Sequence, residues 1–293
     1  MMRLLVCCLF ACALAVAQPP VAELLERKTL AEIRAVAGRL DGVLGVAAID
    51  LTTGRTLTLD ADSVFPQASA IKIPILVTLF RAAHAGAFRL ADTVTLTGKD
   101  AVGGSGRYAK RLRSGPLTLS VRDLAAAMIE WSDNTATNRL IAMLGRERVN
   151  RTMDELGFPK TRLMRVMMDS AAAARDEENV STPMEMARLM ESIWSNRAAD
   201  AESCREIIEI LKLPDKEMKG GLPNGVEVAA KPGVLDGVRC EIGIVFLERR
   251  PFALAVMTAY LDRGRNPVAE VTELIFRHFE KVANANRFGR RLR

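Results

Sequence analysis

The sequence predicts an α+β fold: a five-stranded antiparallel sheet flanked by N- and C-terminal helices and packed against an all-helical lobe. Three observations carry this. Two strand patterns sit close together near the start, three more return near the end, and the long stretch between them is mostly helical. Strands joined by short turns pair antiparallel, whereas a doubly wound parallel sheet would alternate strand and helix throughout.

The elements follow in order. Val21 to Leu40 places apolar residues at helical spacing with Glu, Lys and Arg between them. Val43 to Leu51 reads as a strand, Thr52-Thr53-Gly54 as a turn, and Arg55 to Leu59 as the strand that pairs back. Ile71 to Ala85 is an apolar helix. Val121 to Trp131 follows a Ser120 cap, and Asn134 to Leu144 and Arg146 to Leu156 continue the block. Thr182-Pro183 starts a helix to Trp194. The late strands are Val226 to Ala230, Glu241 to Leu247 and Phe252 to Leu261, and a helix from Pro267 to about Ala283 closes the chain.

The 293 residues carry 41 Lys plus Arg against 35 Asp plus Glu, so 41 − 35 gives +6. With 49% hydrophobic residues the chain is neither disordered nor fibrous. Mixed charges with a small excess demand no nucleic-acid partner. Arg287, Arg290, Arg291 and Arg293 read as a solvated tail. Two histidines, His84 and His278, are too few for a His-built metal site and disfavour a Ser-His-Asp triad. No metal or cofactor is implied, and the chain reads as a monomer.

The N-terminus reads as a secretory signal peptide over residues 1–17. Arg3 precedes the apolar run Leu4 to Val16, and Ala15-Val16-Ala17 supplies small residues before a cut at Gln18. The run is too short to span a membrane. Leu9-Phe10-Ala11-Cys12 is a poor lipobox, so a lipidated start is the weaker alternative. Losing Arg3 leaves 40 − 35, or +5. The expected location is periplasmic or secreted. Only Cys204 and Cys240 remain after cleavage, either as a disulfide or as two buried thiols. The expected lobes are residues 18–62 with 215–293 for the sheet and 63–214 for the helices, forming one catalytic domain.

Three short pieces carry chemistry. Ser69-Ala70-Ile71-Lys72 opens the first helix of the helical block. Ser132-Asp133-Asn134 lies between two of its helices. Lys231-Pro232-Gly233 ends the first late strand and, alone, reads as a turn. Each is weak by itself, and Ser-Asp-Asn is also an ordinary cap. Their order matches the set used by penicillin-recognising serine enzymes, with Pro232 where that set has Thr.

On these motifs the chain resembles the class A β-lactamases and their exported serine-hydrolase relatives. The likeness runs over essentially the whole mature chain. It includes Gly103-Gly104-Ser105-Gly106, Leu117-Thr118-Leu119, the run from Ser132 to Asn138, Thr182-Pro183 and Gly237-Val238-Arg239. The roles this implies have physical sense. Ser69 and Lys72, at i and i+3, share a helix face. Ser69 at a helix start lies in the positive end of the dipole and suits a nucleophile whose attack creates an oxyanion. Burial and the nearby cation Lys231 would free the Lys72 amine to act as base. Ser132 would pass the proton to the leaving nitrogen, and Asn134 would hold Lys72 and a substrate amide. Lys231 would draw the substrate carboxylate, with Arg239 as a second anchor or a mere surface ion pair. The resemblance makes the late strand a cleft edge. Gly233 and Val234 would then line the substrate, with the Val234 N–H completing an oxyanion hole with that of Ser69.

Two departures matter. Pro232 lacks both a hydroxyl for the substrate carboxylate and an N–H. Positions 232 and 234 share parity, so the missing N–H is expected on the open side of an edge strand, where no ladder bond is lost. Second, class A enzymes carry a Glu that activates the deacylating water. The alignment puts Met167 there, in a loop reading Met167-Met168-Asp169-Ser170. Asp169 is the best substitute base, and Asp169, Asp176, Glu177 and Glu178 otherwise read as solvated charge. Arg165 would face Asn179 where the family has Asp, so a loop-closing ion pair is also expected to be lost. The expected activity is opening of a β-lactam amide through an acyl-Ser69 intermediate, with deacylation slowed. A peptidase or transpeptidase-like hydrolase acting on cell-wall peptides and a penicillin-binding protein that stays acylated are the alternatives.

Overall fold

The computed structural model describes residues 21–262 and 264–292. The expected signal peptide lies outside the described residues.

Chain order is α1 (Val21–Ala37), β1 (Val43–Asp50), β2 (Thr56–Leu59), β3 (Phe65–Pro66), α2 (Lys72–His84), β4 (Thr93–Leu96), α3 (Tyr108–Arg111), β5 (Leu117–Ser120), α4 (Val121–Glu130), α5 (Asn134–Leu144), α6 (Arg146–Glu155), α7 (Ser170–Ala173), β6 (Val180–Ser181), α8 (Pro183–Trp194), α9 (Ala201–Lys212), β7 (Val228–Leu235), β8 (Val238–Val245), β9 (Phe252–Ala259) and α10 (Val268–Ala283). The main sheet has five antiparallel strands in the order β2-β1-β9-β8-β7. That is the predicted α+β architecture.

The two sheet faces are both buried, so its strands read apolar at almost every position. Ala47, Ile49, Ile242, Ile244 and Ala255 lie on the side covered by α8 and α9, in one core with residues of α2, α4 and α5. Val46, Ala48, Val245, Leu254 and Val256 face the other way, onto Ile33 and Val36 of α1 and Val271, Ile275 and Phe279 of α10. Successive side chains of a strand alternate between these layers. No helix among the described residues is long and apolar enough to cross a membrane.

Local rules fix the element ends that matter. Ser120 caps α4 in a reciprocal box with Asp123. Thr182 caps α8, with Pro183 in its first turn. Asp133 caps α5, accepting from the Ala136 N–H at 2.9 Å.

One expectation needs correction. Lys231-Pro232-Gly233 does not end a strand. It lies inside β7, which runs to Leu235 and pairs with β8 throughout, Pro232 opposite Glu241. Here an edge position and tertiary packing override the turn propensity of Pro-Gly. Cys204 and Cys240 are both buried free thiols, on α9 and β8 respectively, with no disulfide between them. The hairpin of β4 and β5 and the helix α9 were not anticipated as separate elements.

Candidate active site

Ser69 sits in a 3-10 turn, Ala68–Ile71, that runs straight into α2. In such a turn residues i and i+3 eclipse. The Ser69 Oγ and Lys72 Nζ therefore meet at 3.2 Å. Ser132 comes from the α4–α5 junction and donates its Oγ–H to Ser69 Oγ at 2.9 Å.

Lys72 is the hub. Its amine reaches Ser69 Oγ, Ser132 Oγ (2.9 Å), the Ser132 carbonyl (2.8 Å) and Asn134 Oδ1 (3.1 Å). Four oxygens exceed the three N–H bonds of an ammonium. A neutral amine can instead turn its lone pair to the Ser69 hydroxyl. The environment favours that form. Burial first, then the Lys231 charge, hold the Lys72 amine well below its usual range, and Asp133 opposes them.

The Ser-Asp-Asn turn is held from both sides. One carboxylate oxygen of Asp133 caps α5, and the other accepts the N–H groups of Arg107 (2.7 Å) and Tyr108 (2.8 Å). Asn134 Nδ2 donates to the Gly103 carbonyl at 3.0 Å. Gly106, at φ 111°, passes so close to Asp133 that a Cβ would lie 2.5 Å from its Cα. Backbone strain is present here: Ala68 (φ 46°) and Ser132 (φ 53°) are left-handed without being glycine. Each costs about 1–2 kcal/mol, so the surrounding packing holds both.

Strand β7 forms the opposite wall and is a sheet edge. The N–H of Arg239 donates to Thr258 Oγ1 at 2.8 Å, and its carbonyl accepts from the same hydroxyl at 2.8 Å. Both backbone groups of Arg239 thus face β9, so Val234, its partner on β7, is in a pair without ladder bonds to β8. The Val234 N–H points to the open edge. Pro232, two residues away, shares that orientation, so its missing N–H costs no ladder bond. Gly233 lets the edge approach the Ser69 turn: a Cβ there would lie 2.6 Å from Cys240 Sγ and from the Gln67 carbonyl. Beneath it, Cys240 Sγ donates to that carbonyl at 3.0 Å, and burial pushes its thiol to about 12.

Lys231 is buried beside this wall. Its amine donates to the Pro232 carbonyl at 3.0 Å, and burial lowers its pKa to about 8. Arg239 forms no ion pair with a carboxylate among the described residues, so the surface ion pair is not found. Its guanidinium donates to the Leu235 (3.0 Å) and Val238 (2.8 Å) carbonyls.

The loop before α8 differs most from expectation. Met167 is buried, and Asn138 grips its backbone on both sides, accepting from its N–H (2.8 Å) and donating to its carbonyl (3.0 Å). Met168, exposed and at φ 63°, lies against Gly104 near Asn134. Asp169 caps α7 by accepting from the Ala172 N–H at 2.9 Å. No hydrogen bond joins its carboxylate to Ser69, Lys72 or Ser132 among the described residues. The loop-closing ion pair is displaced rather than lost. Arg165 pairs in bidentate fashion with Glu178 (3.1 and 3.0 Å), one residue before Asn179. Glu178 is therefore not a solvated charge. Asn179 closes the loop by hydrogen bonds to the Met164 and Arg165 backbone. Asn138 and Glu178 were given no such roles from sequence. Asn138, three residues from α5's buried Thr135 and four from Asn134, carried the only signal: helical spacing beside the motif.

Solved structures resemble this arrangement over most of the chain. A β-lactamase from Sphaerobacter thermophilus is 29% identical, covering 87% of this chain and 97% of its own, with a TM-score of 0.78. PBP-A is 26% identical over 88% and 96%, with a TM-score of 0.78. A β-lactamase from Desulfarculus baarsii is 25% identical over 86% and 97%, with a TM-score of 0.79. The family model described as the beta-lactamase enzyme family matches residues 28–279, and the chain belongs to that family.

Proposed function

We propose that the protein is an exported serine hydrolase that β-lactams acylate at Ser69, and that its acyl-enzyme deacylates slowly. One observation supports the first half: Ser69, Lys72, Ser132 and Asn134 form a closed hydrogen-bonded set around one amine. The neutral Lys72 amine takes the Ser69 proton as Oγ attacks the lactam carbonyl carbon. The resulting oxyanion lies between the N–H groups of Ser69 and Val234. Collapse breaks the ring C–N bond, and Ser132 gives its proton to the nitrogen while regaining one from Lys72. Lys231 supplies positive potential for an anionic substrate.

The second half rests on Met167. A placed general base contributes about 10²–10⁴ in rate. A buried thioether at that position supplies none, and Asp169 is committed to a helix cap. This favours a second reading, a penicillin-binding protein that stays acylated. Export rests on the sequence of residues 1–17.

The test is the intact mass of the mature protein followed after mixing with benzylpenicillin. A penicilloyl adduct that outlives many acylation times supports the proposal. A short-lived adduct with rapid drug loss refutes slow deacylation. No adduct and no drug loss refutes acylation by β-lactams and directs attention to peptide and ester substrates.

A further inference from the structure

The start of α1, the end of α10 and the tail after it meet around a cavity of about 800 Å³, lined by Val21, Leu25, Lys281, Val282, Arg287 and Leu292 among others. The tail is not the loose charged end its sequence suggests. Ala285 bridges to Arg291, and the Asn286 N–H donates to the Arg290 carbonyl at 2.9 Å. Asn286 Oδ1 accepts from the Phe288 (3.0 Å) and Arg290 (3.1 Å) N–H groups, and Gly289 turns the chain at φ 79°. This hairpin holds Phe288 out at its tip, 67% exposed. The Arg287 guanidinium lies 4.6 Å over the Phe288 ring. Leu292, Val21 and Leu24 are exposed around it. Among the described residues Lys281, Arg287, Arg290 and Arg291 form no ion pair; Glu280 is the one carboxylate lining the cavity among them, against these four cations, and Glu26 on α1 is engaged by Arg55 at 2.7 Å.

We propose that this end docks on an anionic phospholipid bilayer, with Phe288 at headgroup depth and Arg287, Arg290 and Arg291 on lipid phosphates. Apolar and cationic side chains on one ordered turn match an interface that is both greasy and negative. A soluble polyanion would engage the arginines and leave four exposed apolar side chains uncovered. Docking also leaves the site free. Glu26 of α1 pairs with Arg55 beside β2, the sheet edge opposite β7. Four strand spacings, about 19 Å, separate the two edges. The bound protein would present its catalytic edge away from the lipid.

The experiment is flotation of the protein starting at Gln18 with phosphatidylcholine vesicles, with and without phosphatidylglycerol. The expected result is partition onto the anionic vesicles only, lost at high salt. Each surface cation is worth about fivefold, so R287Q/R290Q/R291Q should lower partition by about 100-fold. Phe288→Ser should lower it by about tenfold. Melting temperature and benzylpenicillin labelling should match the parent in both variants. Failure of the parent protein to partition, equal binding to pure phosphatidylcholine, or a triple variant that binds like the parent overturns the proposal. So does a concentration-dependent dimer, without vesicles, that the same substitutions abolish.

Discussion

Replacing Met167 by Glu should convert a persistent acyl-enzyme into one that turns over. The position is already built, because Asn138 holds the Met167 backbone from both sides. The two side chains have similar length, so the carboxylate would take the place of the thioether. Its benefit as a positioned base is about 10²–10⁴ in deacylation rate. Burial subtracts from that, since Met167 is only 8% exposed. Each unit by which the new carboxyl's pKa rises above the working pH removes about one decade. The net expectation is a gain of roughly 100-fold, with about 1–3 kcal/mol of stability lost to burying a polar carboxyl group. The assay is the decay of the penicilloyl adduct by intact mass in a single turnover, beside Met167→Gln, which has the shape without the base. Acylation should be unchanged, because none of its hydrogen bonds involves Met167. The reasoning fails if the folded Glu variant decays no faster than the Gln variant, or if the parent protein already turns over rapidly.

Ser69→Ala should abolish penicilloyl labelling while leaving the melting temperature within a few degrees; labelling that survives would move the nucleophile elsewhere. Gly233→Ala should cut acylation at least tenfold, because the added Cβ meets Cys240 Sγ and the Gln67 carbonyl at 2.6 Å and pushes β7 off the Ser69 turn; unchanged stopped-flow acylation would argue against that wall. Acylation by an anionic penicillin should fall as pH rises through about 8, where Lys231 loses its charge; a flat rate from neutral to alkaline pH would contradict it. Glu241, buried behind Pro232 with one carboxylate oxygen unpartnered, has its pKa raised from 4.5 to about 7. The unfolded chain ionises first, so stability is lost as pH rises from 4.5 to about 7, by roughly 3 kcal/mol. Glu241→Gln should flatten that slope in urea melts at stepped pH, and a slope equal to the parent's would remove Glu241 as its source.

Much of the fold was legible because its signals are local. The α1 and α10 stripes, the Ser120 and Thr182 caps and the β1–β2 turn each follow from spacing within a few residues. Where reading went astray, a distant partner decides. Pro-Gly in β7 stays extended because the strand is an edge and Gly233 must slide under the Gln67 carbonyl, more than 160 residues away. Arg165 reaches Glu178 rather than Asn179 because Asn179 spends its side chain on the Met164 and Arg165 backbone. Asp169 reads as a free carboxylate until α7 forms behind it and claims an oxygen. The motif residues themselves were visible by order and spacing, but the closure of Ser69, Lys72, Ser132 and Asn134 into one set requires folding across 60 residues.

The two halves of the chemistry stand on different kinds of structure. Ser69 and Lys72 rest on α2, whose residues from Lys72 to Phe80 are all buried, and Ser132 and Asn134 rest on the capped start of α5. Both supports are buried secondary structure, so the position of these residues is set by the fold itself. The deacylating position is different. Met167 lies in a loop held by Asn138, by Asn179 and by one Arg165–Glu178 pair, none of which depends on what side chain position 167 carries. A base can therefore be absent there without disturbing acylation or the loop. If the proposed reading holds, an acylating site without a deacylating base is a stable arrangement, and not a step toward collapse of the site.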